Sequence, residues 1–135
     1  MRAILDPNVI ISALLSPSGT PARVLRAWLE GRFELLASPR LLSEFERALS
    51  YPKLRRRIRE SEAAGLLDWI PRSAVIAEDP SRPAPVCSRD PGDDYLLALL
   101  TSERAVLVTG DEHLLELANT VPVLSPAAFL ALLED

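Results

Sequence analysis

The chain has 135 residues, 48% of them hydrophobic, with a formal charge of −4. That length and composition fit one domain, residues 1–135, able to bury roughly two-thirds of its unfolded surface, and they exclude a disordered chain. No apolar run approaches the ~20 residues of a membrane span and no basic-then-apolar leader opens the chain, so a cytoplasmic protein is expected. Cys87 is the single cysteine, which excludes an intrachain disulfide and a cysteine-ligated zinc.

In chain order, Arg2-Ala3-Ile4-Leu5 reads as a short strand ended by Asp6, and Pro7 to Leu15 as an apolar helix. A turn at Ser16–Gly19 leads to a helix from Pro21 to Glu30, which Gly31 stops as a left-handed cap residue. Phe33 to Ala37 is the second strand. Pro39 to about Ser50 is the third helix, broken by Tyr51-Pro52. Lys53 to Trp69 predicts one long charged helix with an apolar stripe at Leu54, Ile58, Leu66 and Leu67. Ser73 to Ala77 is a third strand. The proline-rich stretch from Glu78 to Gly92 is loop.

Asp93-Asp94 then opens a helix carrying Leu96, Leu97, Leu99 and Leu100. Ala105 to Val108 is a strand ending in Thr109-Gly110-Asp111. A short helix (Glu112 to Ala118), a strand (Val121 to Leu124, put at an edge by Pro122) and a last helix (Pro126 to Leu133) follow. Strands alternating with helices imply an α/β fold with a parallel sheet and right-handed crossovers.

Several acids lie where these elements begin or end. Asp6 and Asp111 each follow a strand, and Asp93 or Asp94 opens a helix. Taken alone, such residues are ordinary helix caps. Asp6-Pro7, Thr20-Pro21, Ser38-Pro39 and Ser125-Pro126 all repeat the cap–proline pattern. Their order along the chain adds a second reading, because the first and fourth strands of a doubly wound sheet can be neighbours at its switch point, where ligands bind. Glu44 borders the apolar face made by Leu41, Leu42, Phe45, Ala48 and Leu49, whereas Glu46 points away from it. Converging carboxylates repel unless cations lie between them, and an all-oxygen donor set selects Mg²⁺ or Mn²⁺.

The ordered set Asp6, Glu44, Asp94 and Asp111, with Asn8 two residues after the first acid and Thr109 two before the last, resembles the PIN domain. The stretches SRDPGDDYLLALL, LVTGDEHLL and LLSEFERALSYPKLRRR look like those of the prokaryotic subfamily of toxins from toxin–antitoxin pairs. The resemblance implies a three-layer α/β/α fold with a five-stranded parallel sheet, and Mg²⁺- or Mn²⁺-dependent cleavage of single-stranded RNA. It also implies a cognate antitoxin and a homodimer. It assigns Asp6, Glu44, Asp94 and Asp111 as catalytic metal ligands, with Asn8, Asp93 and Thr109 supporting them. Pro7 departs from the family's usual threonine or serine, which motivates the alternative of a non-catalytic RNA- or protein-binding PIN-like domain. A phospho-accepting receiver domain is set aside, since it needs a lysine near the last strand and the only one here is Lys53. Lys53, Arg55 and Arg56, within one basic run, are the expected RNA contacts. The bland reading of that run is a solvated helix face paired with Glu60 and Glu62.

Overall fold

The short apolar runs set between turn residues become the strands of one sheet. The computed structural model describes residues 1–134 and has β1 (Arg2–Leu5), β2 (Glu34–Ala37), β3 (Val75–Ile76), β4 (Val106–Val108) and β5 (Val123–Leu124). All neighbours pair in parallel, in the order β3-β2-β1-β4-β5. The strands are apolar on both faces, and Ile4, Leu36, Leu107 and Val108 are fully buried.

The helices are α1 (Pro7–Leu15), α2 (Thr20–Leu29), α3 (Pro39–Leu49), α4 (Pro52–Arg55), α5 (Glu60–Ser73), α6 (Asp94–Glu103), α7 (Glu112–Leu115) and α8 (Pro126–Glu134). The chain moves outward from β1 to β2 to β3, so right-handed crossovers place α1 to α5 on one face. It then returns past β1 to β4, and the reversed direction puts α6 on the other face. On the first face α1 packs on α2 and α3, α3 on α5, and α8 on α2. The expected five-stranded parallel sheet between helical layers is the observed one.

Differences from the sequence reading have local causes. The helix expected over Lys53–Trp69 is two helices, α4 and α5, separated by Arg56–Arg59. Buried Ile58 tucks into the core at the break, and Glu60 and Glu62 suit the start of a new helix, where the helix dipole favours acids. Helix α5 also runs on through Ser73 with Pro71 inside it, which leaves β3 only Val75 and Ile76. Thr20 is the first residue of α2 rather than its cap; the cap is Gly19, without a side-chain bond. Asp6, Ser38 and Ser125 do cap, accepting from the N–H groups of Asn8, Leu41 and Ala128. Gly31 takes φ +78° after α2, as its role as a terminator requires.

Candidate active site

The pairing of β1 with β4 matches Leu5 to Val108, so the next residues on the two strands, Asp6 and Thr109, stand side by side. This is the switch point of the sheet, where the chain order reverses between β1 and β4. The Asp6 N–H continues the ladder to the Val108 carbonyl at 3.0 Å. Asp6 is 3% exposed and divides its two oxygens between two tasks. Oδ1 accepts from the Asn8 N–H at 3.0 Å and caps α1, and Oδ2 accepts from the Thr109 hydroxyl at 2.8 Å. Thr109 Oγ1 accepts in turn from the Asp111 N–H at 3.1 Å, so one buried hydroxyl ties the first acid to the last. Asp111 Oδ1 caps α7 through the His113 N–H at 2.8 Å. The cap reading of these aspartates therefore holds, and Thr109 in addition links Asp6 to Asp111.

Asp93, the last residue of a single 3₁₀ turn (Pro91–Asp93) leading into α6, faces this pair. Its side chain comes within hydrogen-bonding reach of Asp111, and its Oδ2 is buried with no donor. Two carboxylates that meet need a proton or a cation between them. Accordingly the Asp93 carboxyl is pushed up to about 7, first by burial, then by the bond shared with Asp111 and by the charges of Asp6, Asp111 and Asp90. Burial also raises Asp6, opposed by its bonds from Asn8 and Thr109.

The remaining residues of the expected site divide. Glu44 is half-buried on α3, as its place beside the apolar face requires, and pairs with Arg47. The Tyr95 phenol is pushed up by burial and then by the charges of Asp6, Glu44 and Asp93. Asp94, expected to be the main acid of its pair, is tied to the backbone instead. Its Oδ1 accepts from the Ser88 N–H at 2.8 Å, and it lines a neighbouring cleft with Arg40 and Tyr95. The reason is geometric: residues adjacent in a helical turn point about 100° apart, so only one of the two can face the sheet's switch point. Asn8 contributes its backbone N–H, and its exposed side chain lines a cleft of about 370 Å³ with Asp6, Ser12 and Asp111.

Lys53 and Arg55 lie on α4 and Arg56 just after it, all exposed. Among the described residues none of them forms an ion pair, so the pairing with Glu60 and Glu62 is not seen. Helix α3 starts at the acidic edge of the sheet and runs 11 residues, or roughly 16 Å, before α4 begins. The basic run therefore sits at the far end of α3 from the aspartates. The sequence reading passed over Tyr95 and Arg40; an aromatic two residues after Asp93 was the available signal.

Among the described residues no three acidic side chains converge on one point as a complete set of metal ligands. The residues nonetheless fit a divalent cation. The donors are all carboxylate oxygens, one is buried without a partner, and the group carries a mutual repulsion that a cation relieves. Mg²⁺ commonly takes only one or two carboxylates, completing its shell with water and substrate phosphate.

A parallel α/β sheet with aspartates gathered at its switch point defines a class of domain that binds its ligands at the carboxyl ends of the strands. Within that class, the profile of the PIN domain matches residues 2–113, and the chain belongs to the PIN domain family. It is 30% identical over 120 residues to the uncharacterized protein MJ1680 of Methanocaldococcus jannaschii, covering 88% of this chain and 76% of that one. The crystal structure of PAE2754 from Pyrobaculum aerophilum superposes with a TM-score of 0.68 at 19% identity, over 99% of this chain and 90% of the other, and it shares the fold. PIN domains are generally nucleases that act on RNA or DNA and use divalent metal ions.

Proposed function

We propose that the chain is a Mg²⁺- or Mn²⁺-dependent endoribonuclease of the cytoplasm that cuts single-stranded RNA. We further propose that it is the toxin of a toxin–antitoxin pair, held in check by a cognate antitoxin and acting as a homodimer. The observation that carries the nuclease reading is the meeting of Asp93 with Asp111 beside Asp6 at the switch point. The toxin role rests on the motif resemblance around Glu44, Asp93 and Asp111.

In this reading Asp6, Asp93 and Asp111 hold the cation, and Glu44 serves from α3. When bound, the cation neutralises charge on the phosphodiester and makes water a better nucleophile. The chain's own groups prepare for it. Thr109 fixes the rotamer of Asp6, and the capping bond to His113 fixes that of Asp111. Asp93 must shed a proton, held up to about 7, before it can serve as a ligand.

The test is incubation of a labelled single-stranded RNA with the protein in Mn²⁺, Mg²⁺ or EDTA, beside Asp111→Asn. Asparagine still caps α7 through its amide oxygen, so fold is kept while a charge is lost. Cation-dependent cleavage that this variant lacks is the expected result. Equal cleavage by both proteins, or by the wild type in EDTA, sinks the mechanism. Binding without cleavage by the wild type in every cation would favour the non-catalytic alternative.

A further inference from the structure

Beside the aspartates lies a second cleft, of about 270 Å³, enclosed by the first turn of α3, the start of α6 and the loop after β3. Arg40, Arg82 and Tyr95 line it together with Asp79 and Asp94. Both acids are already engaged by the backbone: Asp79 Oδ2 accepts from the Arg40 N–H at 2.9 Å, and Asp94 Oδ1 from the Ser88 N–H at 2.8 Å. The two guanidinium groups are not engaged, for among the described residues neither Arg40 nor Arg82 forms an ion pair. The Arg40 guanidinium instead lies over the Tyr95 ring, 4.7 Å from its centroid. Tyr95 lines this cleft and follows Asp93 by two residues at the start of α6, so the cleft and the aspartates share that helix start.

We propose that Arg40, held over the Tyr95 ring, forms with Arg82 the subsite that grips the RNA phosphate next to the one being cleaved. This deepens the nuclease reading and rests on it. A guanidinium stacked on a ring keeps its N–H fork free at the edge, and that fork matches two oxygens of one phosphate. A strand drawn toward a cluster of carboxylates needs a cationic hold beside them, and a phosphate contact gives that hold without reading sequence. Arg40 is better placed for this than the α4 run, because it stands in the first turn of α3, at the acidic edge of the sheet.

Arg40 is exposed, so its replacement leaves the core untouched. The binding measurement uses a fluorescein-labelled single-stranded RNA with Mg²⁺ in the Asp111→Asn background, titrated over a range of KCl concentrations. Adding Arg40→Ala should reduce the slope of log K against log[salt] by about 0.7, the value for one phosphate contact on a single strand. In the otherwise wild-type protein Arg40→Ala should lower kcat/KM for cleavage by about 10–100-fold, the scale of a lost charge-assisted hydrogen bond. Tyr95→Phe should keep the grip and Tyr95→Ala should lose it. A neutral methylphosphonate beside the cleaved bond should slow the wild type and cost Arg40→Ala nothing further. An unchanged salt slope overturns the subsite, as does a full methylphosphonate penalty in Arg40→Ala. If the wild type cuts no RNA, the nuclease reading fails, and the salt slope still decides whether Arg40 holds phosphate. Absence of any RNA binding overturns both.

Discussion

Thr109 donates its hydroxyl to Asp6 Oδ2 at 2.8 Å across 103 residues of chain, and both side chains are buried. The bond joins the carboxyl ends of β1 and β4, where the strand order reverses, and it leaves Asp6 with a donor on each oxygen. Thr109→Val keeps the shape and deletes the donor. A buried carboxylate oxygen and the Asp111 N–H then lose their partner, which should cost about 1–3 kcal/mol of stability. Thr109→Ser should retain most of it. Urea unfolding of the three proteins at neutral pH checks this, and a valine variant as stable as wild type would mean the hydroxyl bond contributes nothing net.

Asp93 makes stability depend on pH in a definite direction. Its carboxyl is held up to about 7, whereas an unfolded aspartate titrates near 4. Between those values the folded chain keeps a proton that the unfolded chain has lost, so stability from this group is full below about 4 and is lost as pH rises through about 7. Burial raises Asp6 as well, which adds in the same direction. The melting temperature without divalent cations should therefore fall from pH 5 to pH 8, and Asp93→Asn should flatten that fall. Mn²⁺ at pH 8 should raise the wild-type melting temperature and have less effect on the variant. A wild type and variant with the same pH profile would show that the pair exerts no strain.

Much of this site was legible because it depends on order and ladder position. Asp6 and Asp111 follow buried apolar runs, and once β1 and β4 are neighbours, Asp6 and Thr109 must meet. Glu44 was legible from helical periodicity alone. The bond from Ser88 to Asp94 was not, because it depends on the 3₁₀ turn and the loop that precede α6. The break between α4 and α5 was hidden for a similar reason: Leu54 and Ile58 keep helical spacing into it, and the Ile58 N–H still bonds to the Leu54 carbonyl at 2.9 Å. The length of α5 misled because Pro71 would ordinarily stop a helix, yet Ala74 still bonds to the Ile70 carbonyl at 2.8 Å.

The basic run was expected to hold RNA, and its position argues for a smaller part. Lys53, Arg55 and Arg56 stand beyond the far end of α3 from the aspartates. Replacing Arg55 and Arg56 together by alanine should change kcat/KM for a short RNA less than Arg40→Ala does alone. Cleavage assays with an oligonucleotide of about three nucleotides, too short to span the roughly 16 Å of α3 and both sites at once, make the comparison. A larger loss in the double variant would return the strand's path to α4.

The choice between the two adjacent aspartates can be settled by a pair of substitutions with opposed signatures. Asp94 accepts one backbone N–H, from Ser88, and an asparagine amide oxygen accepts it equally well. Asp94→Asn should therefore melt close to wild type and cut RNA within a few-fold of it. Asp93 meets Asp111 with a buried oxygen that has no donor. Asparagine there supplies an N–H₂ toward Asp111 and removes a charge, so Asp93→Asn should be more stable than wild type at pH 8 without cations. On the proposed mechanism the same change removes a ligand, so cleavage should fall by more than the roughly 10–100-fold that follows loss of a group merely orienting a ligand. A protein that gains stability and loses activity at one atom is hard to explain by damage to the fold. Thermal melting, Mn²⁺ binding by calorimetry and cleavage rates on the two variants read all three quantities. If Asp94→Asn is the inactive one and Asp93→Asn cuts normally, the cation is held from the opposite side of α6, and Asp93 is only a carboxyl trapped beside its neighbour.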